Sequence, residues 1–376
     1  MSVIRLPKTA RALLAATFAV VVGAGLAGVP AASAATRTTS VAHHWKVRVG
    51  AETDNRAIQT MGFYPRNIWV NQGDTVTWVA RSAEIHTVTF LSNADPCPPS
   101  ALCAPPRGFD PAQSLQSTPQ GRASFDGSSY YNSGVLTSVS AGPPLPPFVG
   151  LHKRYSLTFP DTLPPGTYTY FCLVHGQAMQ GRIIVQKAGT PYPFTQRQYT
   201  RRAHRQAARD VADGIALWAK ARRQASRLST RHHPTVLIGA MDGRAMVMRF
   251  IHGTTKIRVG DRVTFRATSM GAPHTVTFGN PATGCGTQPC LPQMPWNVTM
   301  RSDGNESATY PGHNGGYSGD RHNLNSGFMF GLPPSVSHLP STLTVAFHRA
   351  GRYDYVCALH AYMGMVGEVV VRRRAS

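Results

Sequence analysis

One passage of β-type sequence occurs twice in this chain, about 190 residues apart, and that recurrence sets the fold before anything else does. The first copy runs Phe63-Tyr64-Pro65-Arg66-Asn67-Ile68-Trp69-Val70, then Gly73-Asp74-Thr75-Val76-Thr77-Trp78, then Ile85-His86-Thr87-Val88-Thr89-Phe90. The second runs Thr255-Lys256-Ile257-Arg258-Val259, then Gly260-Asp261-Arg262-Val263-Thr264-Phe265, then Pro273-His274-Thr275-Val276-Thr277-Phe278. Each reads as a strand, a Gly-Asp turn, an alternating strand, and a further strand opened by His. Asn132-Ser133-Gly134 corresponds to Asn325-Ser326-Gly327. Both copies end on a turn and a Cys-bearing strand, Thr167-Tyr168-Thr169-Tyr170-Phe171-Cys172 and Arg352-Tyr353-Asp354-Tyr355-Val356-Cys357. A short β-rich segment closes each. The simplest architecture is all-β, two β-sandwiches in tandem.

At 376 residues the chain has room for two such units. The expected organisation is a leader over 1–34, sandwiches over 41–187 and 235–374, and a linker over 188–234. In the linker, Thr200 to Leu228 is rich in Ala, Arg, Gln and Lys, with Ala208, Val211, Ile215 and Trp218 at helical spacing. That predicts a basic amphipathic helix whose narrow stripe packs on a sandwich. The leader has Arg5, Lys8 and Arg11, an apolar stretch from Ala12 to Val29, and a small-residue site at Ala32-Ser33-Ala34. It reads as an export signal, so the protein is expected to be secreted, extracellular or wall-associated. The formal net charge of +21 favours anionic partners: a cell-wall polymer, a membrane surface or an acidic redox protein. No nucleic-acid-binding motif is present, which argues against that class. Oligomeric state has no signature in the sequence.

Within each copy, one His lies upstream and three further donors follow on one loop. The candidates are His86, Cys172, His175 and Met179 in the first half. In the second they are His274, Cys357 and His360, with Met365 or alternatively Met363. Two imidazoles, a thiolate and a weak thioether suit copper that cycles between two oxidation states. The remaining cysteines, Cys97 with Cys103 and Cys285 with Cys290, are close enough in sequence to pair as local disulfides. That would leave Cys172 and Cys357 free, each shortly before a His; a disulfide between those two is the competing reading.

With these loops in view, the sequence resembles the plastocyanin/azurin family of blue, type 1 copper proteins. Cys357-Ala358-Leu359-His360 followed by Met365 is similar to the plastocyanin loop, whereas Met363 would fit the shorter amicyanin-like loop. The first half places Met179 four residues after His175, between the two patterns. The resemblance implies Greek-key cupredoxin sandwiches and two type 1 copper ions per chain. Residues 92–150 and 279–340 are insertions relative to the small members. The function so implied is one-electron transfer with a redox partner protein. Extracellular copper binding or storage without a partner is the alternative, and a two-domain copper oxidoreductase is disfavoured. Such enzymes place a His directly beside the type 1 Cys. Here Cys172 lies between Phe171 and Leu173, and Cys357 between Val356 and Ala358. The chain is therefore expected to be an electron carrier, not an enzyme.

Overall fold

The computed structural model describes residues 41–91, 119–139, 151–278, 305–309, 324–337 and 339–374, all within one compact unit. The leader and the four cysteines Cys97, Cys103, Cys285 and Cys290 lie outside the described residues. The described residues are predominantly β, with one long helix among them.

Alternating sequence becomes alternating burial. In Thr75–Ala80 the side chains of Val76, Trp78 and Ala80 are buried while the alternating Thr75, Thr77 and Val79 are partly exposed. That strand pairs in parallel with His44–Val49 and antiparallel with Arg154–Thr158, and Phe63–Tyr64 completes the sheet. A second sheet has the order Asn67–Asn71, Gly176–Gln186, Gly166–Cys172, Thr89–Phe90, Tyr131–Asn132, and shares one core with the first. In the second half, Arg262–Ala267 pairs in parallel with Thr235–Asp242 and antiparallel with Thr342–Ala346. The accompanying sheet has the order Thr254–Arg258, Val366–Arg372, Gly351–Val356, Thr277–Phe278, Leu324–Asn325.

The Gly-Asp turns owe their Asp to burial. Asp74 accepts hydrogen bonds from the backbone N–H of His43 and Asn71 and from Trp45 Nε1, each at 2.8 Å. Asp261 accepts from the Arg258 backbone N–H at 2.9 Å and lies 3.1 Å from His232 Nδ1. Burial raises the Asp261 carboxyl, but these partners and Arg374 hold it below its ordinary value.

The halves are joined more intimately than a linker requires. Ile58–Thr60, from the first half, adds to the edge strand Ala245–Ile251, with Thr60 opposite Ala245 and Ile58 opposite Val247. A six-stranded sheet therefore runs across the boundary placed at the linker. Edge pairing of this kind leaves no local mark in the sequence, because any short buried strand can supply the backbone groups.

The helix spans Gln196–Leu228 and opens with a capping box between Thr195 and Gln198. Its buried face meets the expected stripe only in part. Val211 and Trp218 are partly buried and pack on the clusters beneath the helix, Ala208 and Ile215 are exposed, and the fully buried face is Tyr199, Ala203, Ala207, Asp210, Gly214, Leu217, Ala221 and Ala225. Small side chains decide this, because they let the helix axis approach the sheet. A methyl group at Gly214 would lie 2.3 Å from Ile58 Cγ2. The first turns pack on Ala51 and Tyr64, the last on Leu237, Ala240, Val247 and Ile251, so one helix covers strands of both halves.

Matching aromatic clusters fill the two cores. Tyr170 lies 5.2 Å from Trp78, 4.6 Å from Phe63 and 5.3 Å from Phe90 between ring centroids. Tyr355 lies 5.0 Å from Phe265, 4.7 Å from Phe250 and 5.1 Å from Phe278. Such pairs contribute roughly 0.5–1.5 kcal/mol each beyond the area they bury. The Tyr355 hydroxyl is buried with no hydrogen-bond partner among the described residues, a situation that typically costs about 1–3 kcal/mol. Tyr355→Phe is therefore expected to raise stability by about 1 kcal/mol, read as a higher urea midpoint. A lower midpoint would mean that the hydroxyl has a partner in solution.

Candidate metal centres

Each upstream His is held by a short bridge to the loop that carries the Asn-Ser-Gly segment. His86 N–H donates to Leu136 O at 2.9 Å and Leu136 N–H returns a bond to His86 O at 2.7 Å. His274 and Met329 do the same at 2.9 and 2.7 Å. Ser133 Oγ accepts from Val88 N–H, and Ser326 Oγ from Val276 N–H, both at 2.8 Å. The recurring Asn-Ser-Gly motif is thus a clamp on the strand that presents the His.

The cysteines end strands Gly166–Cys172 and, one residue beyond, Gly351–Val356. Thr87 N–H points at Cys172 Sγ (3.3 Å) and Thr87 Oγ1 accepts from Leu173 N–H (2.9 Å). Thr275 N–H points at Cys357 Sγ (3.4 Å) and Thr275 Oγ1 accepts from Ala358 N–H (2.8 Å). The Thr after each His therefore locks the turn after each Cys. These N–H groups favour a thiolate.

Two clusters of three donors result: His86, Cys172 and His175, and His274, Cys357 and His360, all buried. In the first, the two Nδ1 atoms are 3.2 Å apart, and Cys172 Sγ lies 4.0 and 3.4 Å from those of His86 and His175. The corresponding separations in the second are 3.1, 3.8 and 3.4 Å. In each triangle a point equidistant from the donors lies about 2 Å from all three, close to the ~2.0–2.3 Å at which imidazole nitrogen and thiolate bind a first-row ion. The residues present therefore fit a copper ion held by two His and one Cys. Cys172 and Cys357 are both free thiols in the structure, each beside its own pair of His.

Electrostatics agree with this geometry. Burial raises the Cys172 thiol, but the charge and hydrogen bond of His175 and the Thr87 N–H hold it below its ordinary value. Burial also opposes the Cys357 thiolate, yet His360 and His274 hold that thiol well below its usual range. Burial would lower His175, but the Cys172 thiolate and Glu84 hold it up to about 9. His86 is pushed well below its usual value by burial and by the His175 charge. Ser82 Oγ lies 2.9 Å from His86 Nε2, consistent with a ring whose Nδ1 serves as the donor.

Met179 is fully buried in the core cluster that contains Cys172, and Met365 in that containing Cys357. Met363 packs instead with the first half's cluster, and its carbonyl accepts from Arg249 Nη1 at 2.8 Å.

Three features of these surroundings escaped the sequence reading. Gly50 and Gly239 both have positive φ, +68° and +63°, and a methyl group on either would come within 2.7 and 2.8 Å of the Nε2 of His86 and His274. Their flanks, Val49-Gly50-Ala51 and Ile238-Gly239-Ala240, are the signal that was available. The third is Glu84, 2% exposed, whose Oε1 is 3.7 Å from His175 Nε2. Burial would raise its carboxyl, but His175 and the imidazoles of His360 and His274 hold it below its ordinary value. One buried carboxylate thus feels rings from both clusters.

Residues 335–372 match the family model for copper-binding proteins of the plastocyanin/azurin family. That stretch contains Cys357, His360, Met363 and Met365, and does not reach His274. Similar solved structures include the reduced state of a proline-to-phenylalanine mutant of amicyanin and the Cu(I) structure of a methionine-to-glutamine mutant. Each is 20% identical to this chain, covering 38% of it and 82% of the other chain, with a TM-score of 0.21. The Cu(I) form of a proline-to-glycine amicyanin mutant at pH 4 matches over the same shares at 19% identity and a TM-score of 0.21.

The glycine contacts give a controlled test. Gly189 also has positive φ, but a methyl group there would meet nothing within 4 Å, so Gly189→Ala carries the backbone cost alone. That cost is about 1 kcal/mol. Gly50→Ala adds the collision with Ser82 and His86 and is expected to lose at least ~2 kcal/mol in urea unfolding. Equal losses in the two variants would show that nothing crowds Gly50.

Proposed function

We propose that the protein is an exported one-electron carrier with two mononuclear type 1 copper sites, one per half. The observation that carries this reading is the pair of buried His–Cys–His triangles, each sized for one ion and each backed by the same Thr and Asn-Ser-Gly contacts. Met179 and Met365, buried in the cores that hold Cys172 and Cys357, would add a weak thioether donor to each set. Met365 is favoured over Met363 because it shares the core of Cys357.

Copper in such a set supplies reversible exchange of single electrons. The protein's part is to hold the donors still and dry. His86 and His274 are fixed by strand bridges, the cysteines by threonine N–H groups, and the second imidazoles by the turn that follows each Cys. Donors fixed in this way change position little between oxidation states, which keeps the reorganisation of each transfer small. The positive net charge favours an acidic redox partner or an anionic wall surface.

The copper-loaded, oxidised protein is expected to bind two coppers per chain and to show an intense thiolate-to-copper band in the visible. Cys172→Ser and Cys357→Ser should each remove one copper's share of that band, and the double variant should be colourless but folded. Full colour in both single variants would overturn the assignment, and two coppers without the band would indicate storage instead of electron transfer. Met365→Leu should shift the spectrum and potential of the second site, while Met363→Leu should leave both unchanged.

A further inference from the structure

The two donor clusters are near copies of each other, but a buried acid stands beside the first. Glu84 is 2% exposed, two residues before His86, and its Oε1 lies 3.7 Å from His175 Nε2. In the second half the residues before His274 are Gly271, Ala272 and Pro273, none of them ionisable. Among the described residues no carboxylate pairs with His274 or His360; besides His175, only His232 has such a partner, Asp261.

The segment that carries the acid is held from several sides. Glu84 N–H donates to Gln59 Oε1 at 3.2 Å, and Gln59 Nε2 donates to Glu52 Oε2 at 2.8 Å. Ala83 N–H donates to the same Glu52 oxygen at 2.9 Å. Ala83 O accepts from Thr137 Oγ1 at 2.9 Å and from Tyr362 Oη at 3.1 Å. Glu84 Oε2 and His175 Nε2 are both buried with no hydrogen-bond partner among the described residues. An acid buried in this way is unfavourable unless positive charge lies close by. Burial opposes its charge, yet the imidazoles of both clusters hold the carboxyl below its ordinary value.

The His175 ring has Nδ1 3.4 Å from Cys172 Sγ and presents Nε2 to Glu84. A neutral ring that ligates through Nδ1 carries its proton on Nε2, and so offers the carboxylate a donor. Copper held by one thiolate and neutral imidazoles has one net positive charge when oxidised and none when reduced. A carboxylate fixed beside it therefore favours the oxidised form. We propose that Glu84 makes the two centres unequal, lowering the reduction potential of the site of His86, Cys172 and His175 beneath that of the site of His274, Cys357 and His360. A chain holding one electron would then keep it on the second site. This ordering rests on the copper reading above.

The test is a redox titration of the copper-loaded full chain, followed by the visible band and by electron paramagnetic resonance. Cys357→Ser isolates the first site and Cys172→Ser the second. With Glu84 intact, the first site should have the lower potential, and the reverse order would overturn the proposal. Glu84→Gln keeps the shape of the side chain and removes its charge. Combined with Cys357→Ser, it should retain the band and move the first site's oxidised-to-reduced ratio, at a fixed ambient potential, roughly tenfold or more toward the reduced form. Combined with Cys172→Ser, it should move the second site less. Glu84→Asp, which keeps the charge, should hold the first site's ratio near that of the parent. An unchanged ratio in Glu84→Gln with the band intact, or equal shifts at both sites, would overturn the role of Glu84 alone. Absence of the band from both single-cysteine variants would overturn the copper reading itself.

Discussion

Everything else in this structure is arranged around the convergence of two imidazole nitrogens on one buried cysteine sulfur, achieved twice. Bringing three polar atoms within 3.1–4.0 Å of one another away from water is unfavourable unless a proton or a cation lies among them. The surrounding protein therefore has to impose the arrangement. Strand bridges hold His86 and His274, threonine N–H groups face the sulfurs, and left-handed glycines leave room for the rings. Two aromatic cores, built on Tyr170 and Tyr355, sit beneath the strands that end at the cysteines. Rigidity of that kind is what the electron exchange proposed for these sites would require.

The junction between the halves adds a second layer. Ile58–Thr60 extends the sheet of the second half, and the helix Gln196–Leu228 packs on strands of both. Glu84 and Tyr362 lie where the two donor clusters approach one another. Tyr362 Oη donates to Ala83 O at 3.1 Å, and Arg56 Nη1 donates to Tyr362 O at 3.2 Å. The clusters thus share Glu84 as a common neighbour, whose carboxyl is held down by His175 of one and by His360 and His274 of the other.

Much of this was legible in the sequence, for identifiable reasons. Three of the four candidate donors in each half lie on one short loop, so their spacing survives as a pattern, and the upstream His is marked by a repeated Thr-Val-Thr-Phe strand. Period-two alternation marked the core strands directly. The helix was legible as a helix, but its packing face only in part. Val211 and Trp218 do pack at the edge of the buried face, whereas Ile215 is exposed and close approach to a sheet selects Ala203, Ala207, Gly214 and Ala221.

By itself the sequence determined the fold class, the donor types and their order along the chain, because these follow from local periodicity and from residues adjacent on one loop. Only the tertiary structure decided which residues surround the donors. Glu84 against His175, the glycines Gly50 and Gly239 against the rings of His86 and His274, and the separation of Met363 from Met365 depend on contacts between segments far apart in the chain. Such contacts are fixed by how sheets and helix pack, and packing between distant segments leaves no period for a sequence to carry.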